Sequence, residues 1–283
     1  MAPRPPLTAR RARLAAELRK LRERAGMTAT EAARQLGTSS GQLSNVESAR
    51  FGVSADRVRA MAHAYSCSDA LYIQALIDMA NDRAIGWWEQ YRDILPIGLL
   101  NLAEFEHHAT ALRAAYTSHI PGLLQIAEHA REVFAQVVPE LTPPEIEHRV
   151  SHRIKRQDVI YRTQPVPYSV VVHEAALRMK FGGRSTARRQ LEHILAMSER
   201  SHITLRVIPF DFGAYPGSGQ SVAYGCGPVP QLDTVHLDQS HGSAFLDAEA
   251  PLLKYRTLLD RMEEVALGPK ESQDFVLGIS REL

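Results

Sequence analysis

Residues 26–47, GMTATEAARQLGTSSGQLSNVE, decide how the first part of this chain folds. Thr28 and Glu31 form a T-x-x-E capping box, which starts a helix by giving its unpaired N–H groups side-chain acceptors. Ala32, Ala33 and Leu36 supply a small apolar face, and Gly37 stands where a helix end favours positive φ. Ser39 and Gln42 repeat the box and open a second helix with Leu43 and Val46 inward. Two caps, a glycine stop and a short turn predict a helix-turn-helix. Alanines on the first helix let the second cross it closely. The outer face of the second carries Ser40, Gly41, Gln42, Ser44 and Asn45. Such short polar groups fit against base edges, where donors and acceptors distinguish the base pairs. A helical hairpin inside a larger all-α domain is the plainer alternative.

The flanking charge argues against that alternative. Residues 1–59 hold twelve Arg or Lys and five Asp or Glu, a net of +7, while the whole chain is +1 and residues 60–283 sum to −6. Arg10, Arg11, Arg13, Arg19, Lys20, Arg22 and Arg24 share one predicted helix, whose apolar stripe is Leu14, Leu18 and Leu21. A basic face beside a helix-turn-helix suits phosphate contacts, which supply affinity without reading sequence. The near-neutral total does not count against this, because the relevant field is local.

At 283 residues the chain has room for two domains with separate cores. Apolar content of 45% and charged content of 23% are ordinary for a globular protein. The two cysteines, Cys67 and Cys226, stand far apart and suggest neither a disulfide framework nor a zinc knuckle. MAPRPPLTARRARL lacks an apolar signal core, and no run approaches the ~18 apolar residues of a membrane span. A soluble cytoplasmic protein is expected.

Pro3, Pro5 and Pro6 read as a short mobile arm before a helix capped by Thr8 and running to about Ala25. After the helix-turn-helix, Ser54 caps a fourth helix with Val58, Met61, Ala62 and Tyr65, and Asp69 begins a fifth with Leu71, Ile73, Leu76 and Ile77. The helical pattern is read as continuing through IGWWEQYRDIL, which would couple the two domains rigidly. Helices are predicted over 102–117, 122–136 (after the Pro121–Gly122 turn), and 145–162. PYSVVVH at 167–173 and ITLRVIPF at 203–210 read as buried strands, with an amphipathic helix over 186–200 between them, the order of a βαβ unit. Weaker strands follow at SVAYGC and TVHLDQ, then helices over 251–267 and 269–278.

The first 70 residues resemble the repressor-type helix-turn-helix family, also called the xenobiotic response element family, related to the phage repressors and Cro. Gly26, Thr28, Ala33, Leu36–Gly37, Ser39, Leu43–Ser44 and Val46–Glu47 carry the likeness. The resemblance implies a lambda-repressor-like domain in which Ser40, Gly41, Ser44 and Asn45 occupy base-facing positions. Two features depart from the family: Ala29 replaces a phosphate-binding glutamine, and Ala49, Arg50, Phe51, Gly52 and Val53 replace the usual G-R-x-x-P loop. The rest resembles the C-terminal domain of a large actinobacterial group of such regulators. GWWEQYRDILP (86–96), IPGLLQIAEHAREVF (120–134), HEAALRMKFGG (173–183), QLEHILAMSERSHITLRVIPFDFGAYPG (190–217) and KYRTLLDRMEEVALGPKES (254–272) carry that likeness. It implies an antitoxin-like regulator, commonly encoded beside a small partner protein.

Other chemistry is weakly marked. His148 and His152 have zinc-ligand spacing, but Arg149 stands where H-E-x-x-H needs Glu. PGSGQS at 216–221 lacks the lysine of a phosphate loop and reads as a loop between strands, or the lip of a pocket. Ser218 lacks a G-x-S-x-G frame, and His173, Asp211 and His236 assemble no triad by spacing. Trp87, Trp88 and Tyr91 form an aromatic cluster at the domain junction. It is either a ligand cage or partner anchor, or packing between the domains.

The expectation is therefore an N-terminal all-α helix-turn-helix domain of five helices, residues 1–80, followed by a mixed α/β regulatory and dimerisation domain, residues 81–283. Ser40, Gln42, Ser44 and Asn45 are the candidate base readers. Arg10, Arg11, Arg22, Thr28, Ser39 and Arg50 are the candidate phosphate contacts. The expected partners are double-stranded DNA, a second copy of the chain and a small protein encoded nearby. No enzyme activity, cofactor, metal or membrane is expected.

Overall fold

The computed structural model describes residues 7–239 and 242–283; the proline arm lies outside the described residues. The chain divides into two compact units, one ending at Trp87 and the other beginning at Trp88.

The first unit is built from α1 (Ala9–Arg24), α2 (Ala29–Gln35), α3 (Ser40–Glu47), α4 (Ala55–Ala64) and α5 (Ala70–Asn81). Their starts share one chemistry. Thr8, Thr28, Ser39, Ser54 and Asp69 each accept a hydrogen bond from the backbone N–H three residues on. The first four ends also match: Gly26, Gly37, Ala49 and Ser66 follow them with φ of 68, 61, 57 and 53°. Leu18, Ala32, Leu43, Val58, Met61 and Leu76 fill the core.

Within α5 the predicted inward face is rotated. Leu71 is exposed and Ile73 only half-buried, while Tyr72 is buried and donates its hydroxyl to Glu17 at 2.5 Å. The helix does not run on through IGWWEQYRDIL. Asp82 accepts a hydrogen bond from the Ala84 N–H at 3.2 Å, a local turn that competes with the helical ladder. Only one 3-10 turn, Trp87–Tyr91, follows.

The second unit begins with α6 (Ile97–His108) and β1 (Ala111–Tyr116), followed by α7 (Ala127–Phe134), α8 (Pro143–Arg156) and α9 (Asp158–Tyr161). Next come β2 (Tyr168–His173), α10 (Glu174–Arg178), α11 (Gly183–Ser198) and β3 (Ile203–Ile208). The chain closes with β4 (Val222–Cys226), β5 (Thr234–Gln239), β6 (Gly242–Leu246), α12 (Glu249–Val265) and α13 (Pro269–Glu282). The six strands form one mixed sheet ordered β3-β2-β1-β4-β5-β6. β1, β2 and β3 are mutually parallel, and the β1–β4, β4–β5 and β5–β6 pairs are antiparallel.

Alternate residues divide between two cores. Leu112, Ala114, Val170, Val172, Leu205 and Val207 pack with Leu191, Ile194, Val276 and Ile279 of α11 and α13. Ala115, Val171, Val222, Tyr224, Val235 and Leu237 pack with Leu252, Leu259 and Met262 of α12. Burial on both faces explains why β2 and β3 read as continuous apolar runs. The β2–α10–α11–β3 segment is the predicted βαβ unit, with α10 added. The helix predicted over 102–117 is corrected: it stops at His108, and ALRAAY is the central strand β1. Ala, Leu and Arg favour helices locally, and pairing on both edges overrides that preference.

Candidate nucleic-acid interface

The candidate recognition surface is positioned by α2 and α3. Ala32 and Ala33 of α2 and Leu43 of α3 are all buried where the two helices meet, and α3 keeps its polar face outward. Ser40, Gly41, Gln42 and Ser44 are exposed, and Asn45 is half-buried. Gln42 commits its side-chain oxygen to the cap, accepting from Thr38 Oγ1 at 2.6 Å and the Ser39 N–H at 3.5 Å. The Asn45 carbonyl accepts the Phe51 N–H at 3.0 Å, which turns the chain sharply after α3. Ala49, standing at the glycine position of the usual loop, takes the left-handed conformation required there.

The candidate phosphate contacts fall into three groups. Arg50 is exposed in the turn after α3, and Arg11 reaches that loop: a Cβ added to Gly52 would lie 3.7 Å from Arg11 Nη2. Thr28 and Ser39 are exposed at helix N-termini but use their hydroxyl oxygens as caps. The Thr28 hydroxyl also donates to Glu31 Oε2 at 2.7 Å, and these bonds hold the Glu31 carboxyl below its ordinary range. Arg10 pairs with Asp82 at 3.2 Å.

Arg22 requires a correction. It is buried, donates to both Glu47 carboxylate oxygens at 2.8 Å, and gives a third bond to the Met27 carbonyl at 2.7 Å. The hydrogen bonds to Glu47 outweigh burial and raise its pKa further. Its fork is used inside the protein, where it clamps α1 onto the end of α3 from behind. The spacing on α1 put Arg22 among the basic residues, but its register with Leu18 and Leu21 is the inward one.

This arrangement agrees with a match of residues 13–72 to the family described as Helix-turn-helix domain. The protein is a DNA-binding regulator of the helix-turn-helix type. Residues 99–278 match the family described as Domain of unknown function (DUF5753). The chain belongs to that family. No curated protein and no solved structure matches it.

Of the aromatic cluster, Trp88 and Tyr91 are corrected: they offer no exposed ligand or partner surface. Trp88 and Tyr91 are buried against neighbours in their own unit; Trp88 meets the His107 and His108 rings at 5.1 and 6.1 Å. Tyr91 stacks edge-on against His152 at 5.2 Å, and its hydroxyl lies 3.0 Å from Ser151 Oγ. Trp87 is half-buried. His148 is exposed and His152 buried, so the two rings do not share an environment. The PGSGQS segment is a loop before β4, where Gly219 accepts a hydrogen bond from Thr117 at 2.8 Å. Cys67 and Cys226 are free thiols. Among the described residues, no helix is long and apolar enough to cross a membrane.

Proposed function

We propose that this chain is a sequence-specific transcriptional regulator of the repressor type, acting in the cytoplasm as a homodimer on a roughly palindromic operator. Its C-terminal domain would supply dimerisation and receive a signal, and it would do so by binding rather than by catalysis. The observation that carries this reading is the outward face of α3, short, polar and exposed, held from behind by the Arg22–Glu47 clamp. Two such helices one helical turn of DNA apart would read successive major grooves. Dimerisation matters here because a single copy offers few base contacts.

Selection of bound genomic fragments, followed by a salt series on the best one, tests the reading. Asn45→Ala is expected to cost about 1–3 kcal/mol on the selected site and to relax its sequence preference. Arg50→Ala is expected to weaken all DNA alike and to flatten the salt dependence by about one unit of slope. Equal binding of selected and scrambled DNA by the wild type would overturn the reading. The competing one, an antitoxin-like protein that mainly sequesters a small partner and autoregulates its own promoter, requires a stable complex between the full chain and that partner.

A further inference from the structure

The DUF5753 unit holds a cationic side chain that no carboxylate among the described residues contacts directly. Arg156 of α8 is buried and paired with buried Glu106 of α6 through two bonds, 2.8 and 2.6 Å long. One turn earlier, Arg153 has no such partner. Its Nη1 donates to the amide oxygen of Gln125 at 2.6 Å, its guanidinium lies 4.6 Å above the Phe134 ring, and its Nε is shut off with no acceptor. Among the described residues, no carboxylate forms a salt bridge with it. A Cβ on Gly122 would meet its guanidinium at 3.1 Å, so the backbone is drawn in against it.

The surroundings resemble a receptor more than a core. Tyr116, the last residue of β1, Glu106 of α6 and Asp238, near the end of β5, act electrostatically on Arg153 from a distance. This is the end of the sheet where the parallel β1–β2 pair gives way to the antiparallel β1–β4 pair, the position at which open α/β sheets tend to bind ligands. His129 is almost fully buried with both ring nitrogens unpartnered, and buried His236 leaves its Nε2 without an acceptor or donor. Burial holds both rings neutral at physiological pH, with pKa values pushed down to about 4. Arg153 and Tyr116 nevertheless remain partly accessible. Burial, reinforced by Arg156, lowers the Arg153 pKa to about 10, so the cation is held at a cost.

We propose that Arg153 is the anchor of a ligand site for the carboxylate of a small organic monoanion, with Tyr116 beside it. A carboxylate matches the planar fork of a guanidinium and supplies the missing counter-charge. A phosphate dianion fits less well, because Glu106 already neutralises Arg156 and Asp238 adds a further negative charge. The proposal deepens the regulator reading by naming the chemistry of its signal.

Ligand-observed 19F NMR on the full chain tests it, with fluoroacetate and 4-fluorobenzoate as carboxylates, 4-fluorobenzamide as the neutral control and monofluorophosphate as the dianion. At least one carboxylate is expected to broaden in the presence of the wild type, while the amide does not. The effect should vanish in Arg153→Met and weaken at least about tenfold in Arg153→Lys, which keeps the charge and loses the fork. The lysine variant decides the matter if the methionine variant fails to fold. No broadening by either carboxylate, equal binding of the amide, stronger binding of monofluorophosphate, or unchanged binding by Arg153→Lys would each overturn the proposal. DNA binding by the ligand-free wild type is measured separately, so failure of the regulator reading shows in that arm alone.

Discussion

The two units of this protein are held together by opposite devices. In the N-terminal unit, several ion pairs lie within a single helix: buried Glu17 takes Arg13 and Lys20, each at 2.7 Å, on α1. Every helix there has a side-chain cap, and the core beneath is apolar except at Glu17, Tyr65, Tyr72 and the Arg22–Glu47 clamp. In the C-terminal unit, polar groups are carried inside: Glu106, Gln125, His129, His152, Arg156, Gln157, Gln190 and His236 are all buried. Several bond to backbone atoms far away in sequence, as Gln190 does to the Leu124 carbonyl at 2.7 Å. The first unit therefore presents its chemistry outward on a rigid scaffold. The second encloses its chemistry, the arrangement suited to recognising something that enters.

Acid should separate the units most strongly. Burial depresses the pKa values of His129 and His236 to about 4 and that of His152 to about 3, below the 6.5 of an unfolded chain. Above pH 6.5 these rings are neutral in both states and have no effect. As pH falls from there toward 4, the unfolded chain takes up protons first, and stability is lost by up to about 1.4 kcal/mol per pH unit for each ring. Together the three are comparable with the whole stability of a domain. In the N-terminal unit the depressed groups are the exposed Glu23 and Glu31, whose stabilisation is present above about pH 4.5 and lost only below it. Residue-resolved amide exchange between pH 7 and 4 should show the sheet opening first. Simultaneous loss of protection in α1–α5 would break the contrast.

Next in size is Glu106→Gln, which strands the buried Arg156 charge and should destabilise the C-terminal unit by about 3–5 kcal/mol. Urea unfolding followed by unit-specific probes checks this; a cost below about 1 kcal/mol would mean that water reaches the pair. The smallest effect is expected from Ser39→Ala, about 1 kcal/mol, because a cap at a surface helix is largely replaceable by water. That loss should fall on the N-terminal unit alone and should reduce DNA affinity with it, since α3 is the element that frays.

Legibility followed the same division. Caps and stops act within three or four residues, so Thr8, Thr28, Ser39, Ser54 and Asp69 could be placed from spacing, and so could the exposed face of α3. The inward turn of Arg22 could not, because its partner Glu47 lies 25 residues away. In the C-terminal unit β2, β3, β4 and β5 were readable from β-branched or alternating runs, whereas β1 carries helix-favouring residues and β6 no strong pattern. Arg153 left one trace. It stands one turn after buried Val150 on α8, a charged residue at helical spacing from the apolar face.

By itself, the sequence determined the helix-turn-helix, its caps, and a mixed α/β domain behind it, because those signals depend on neighbours along the chain. The tertiary structure alone decided that Arg22 is a clamp, that ALRAAY is a central strand, that Trp88 and Tyr91 are interior, and that Arg153 has no directly paired carboxylate among the described residues. Each of those depends on which distant segments meet, and burial is what turns the meeting into energy.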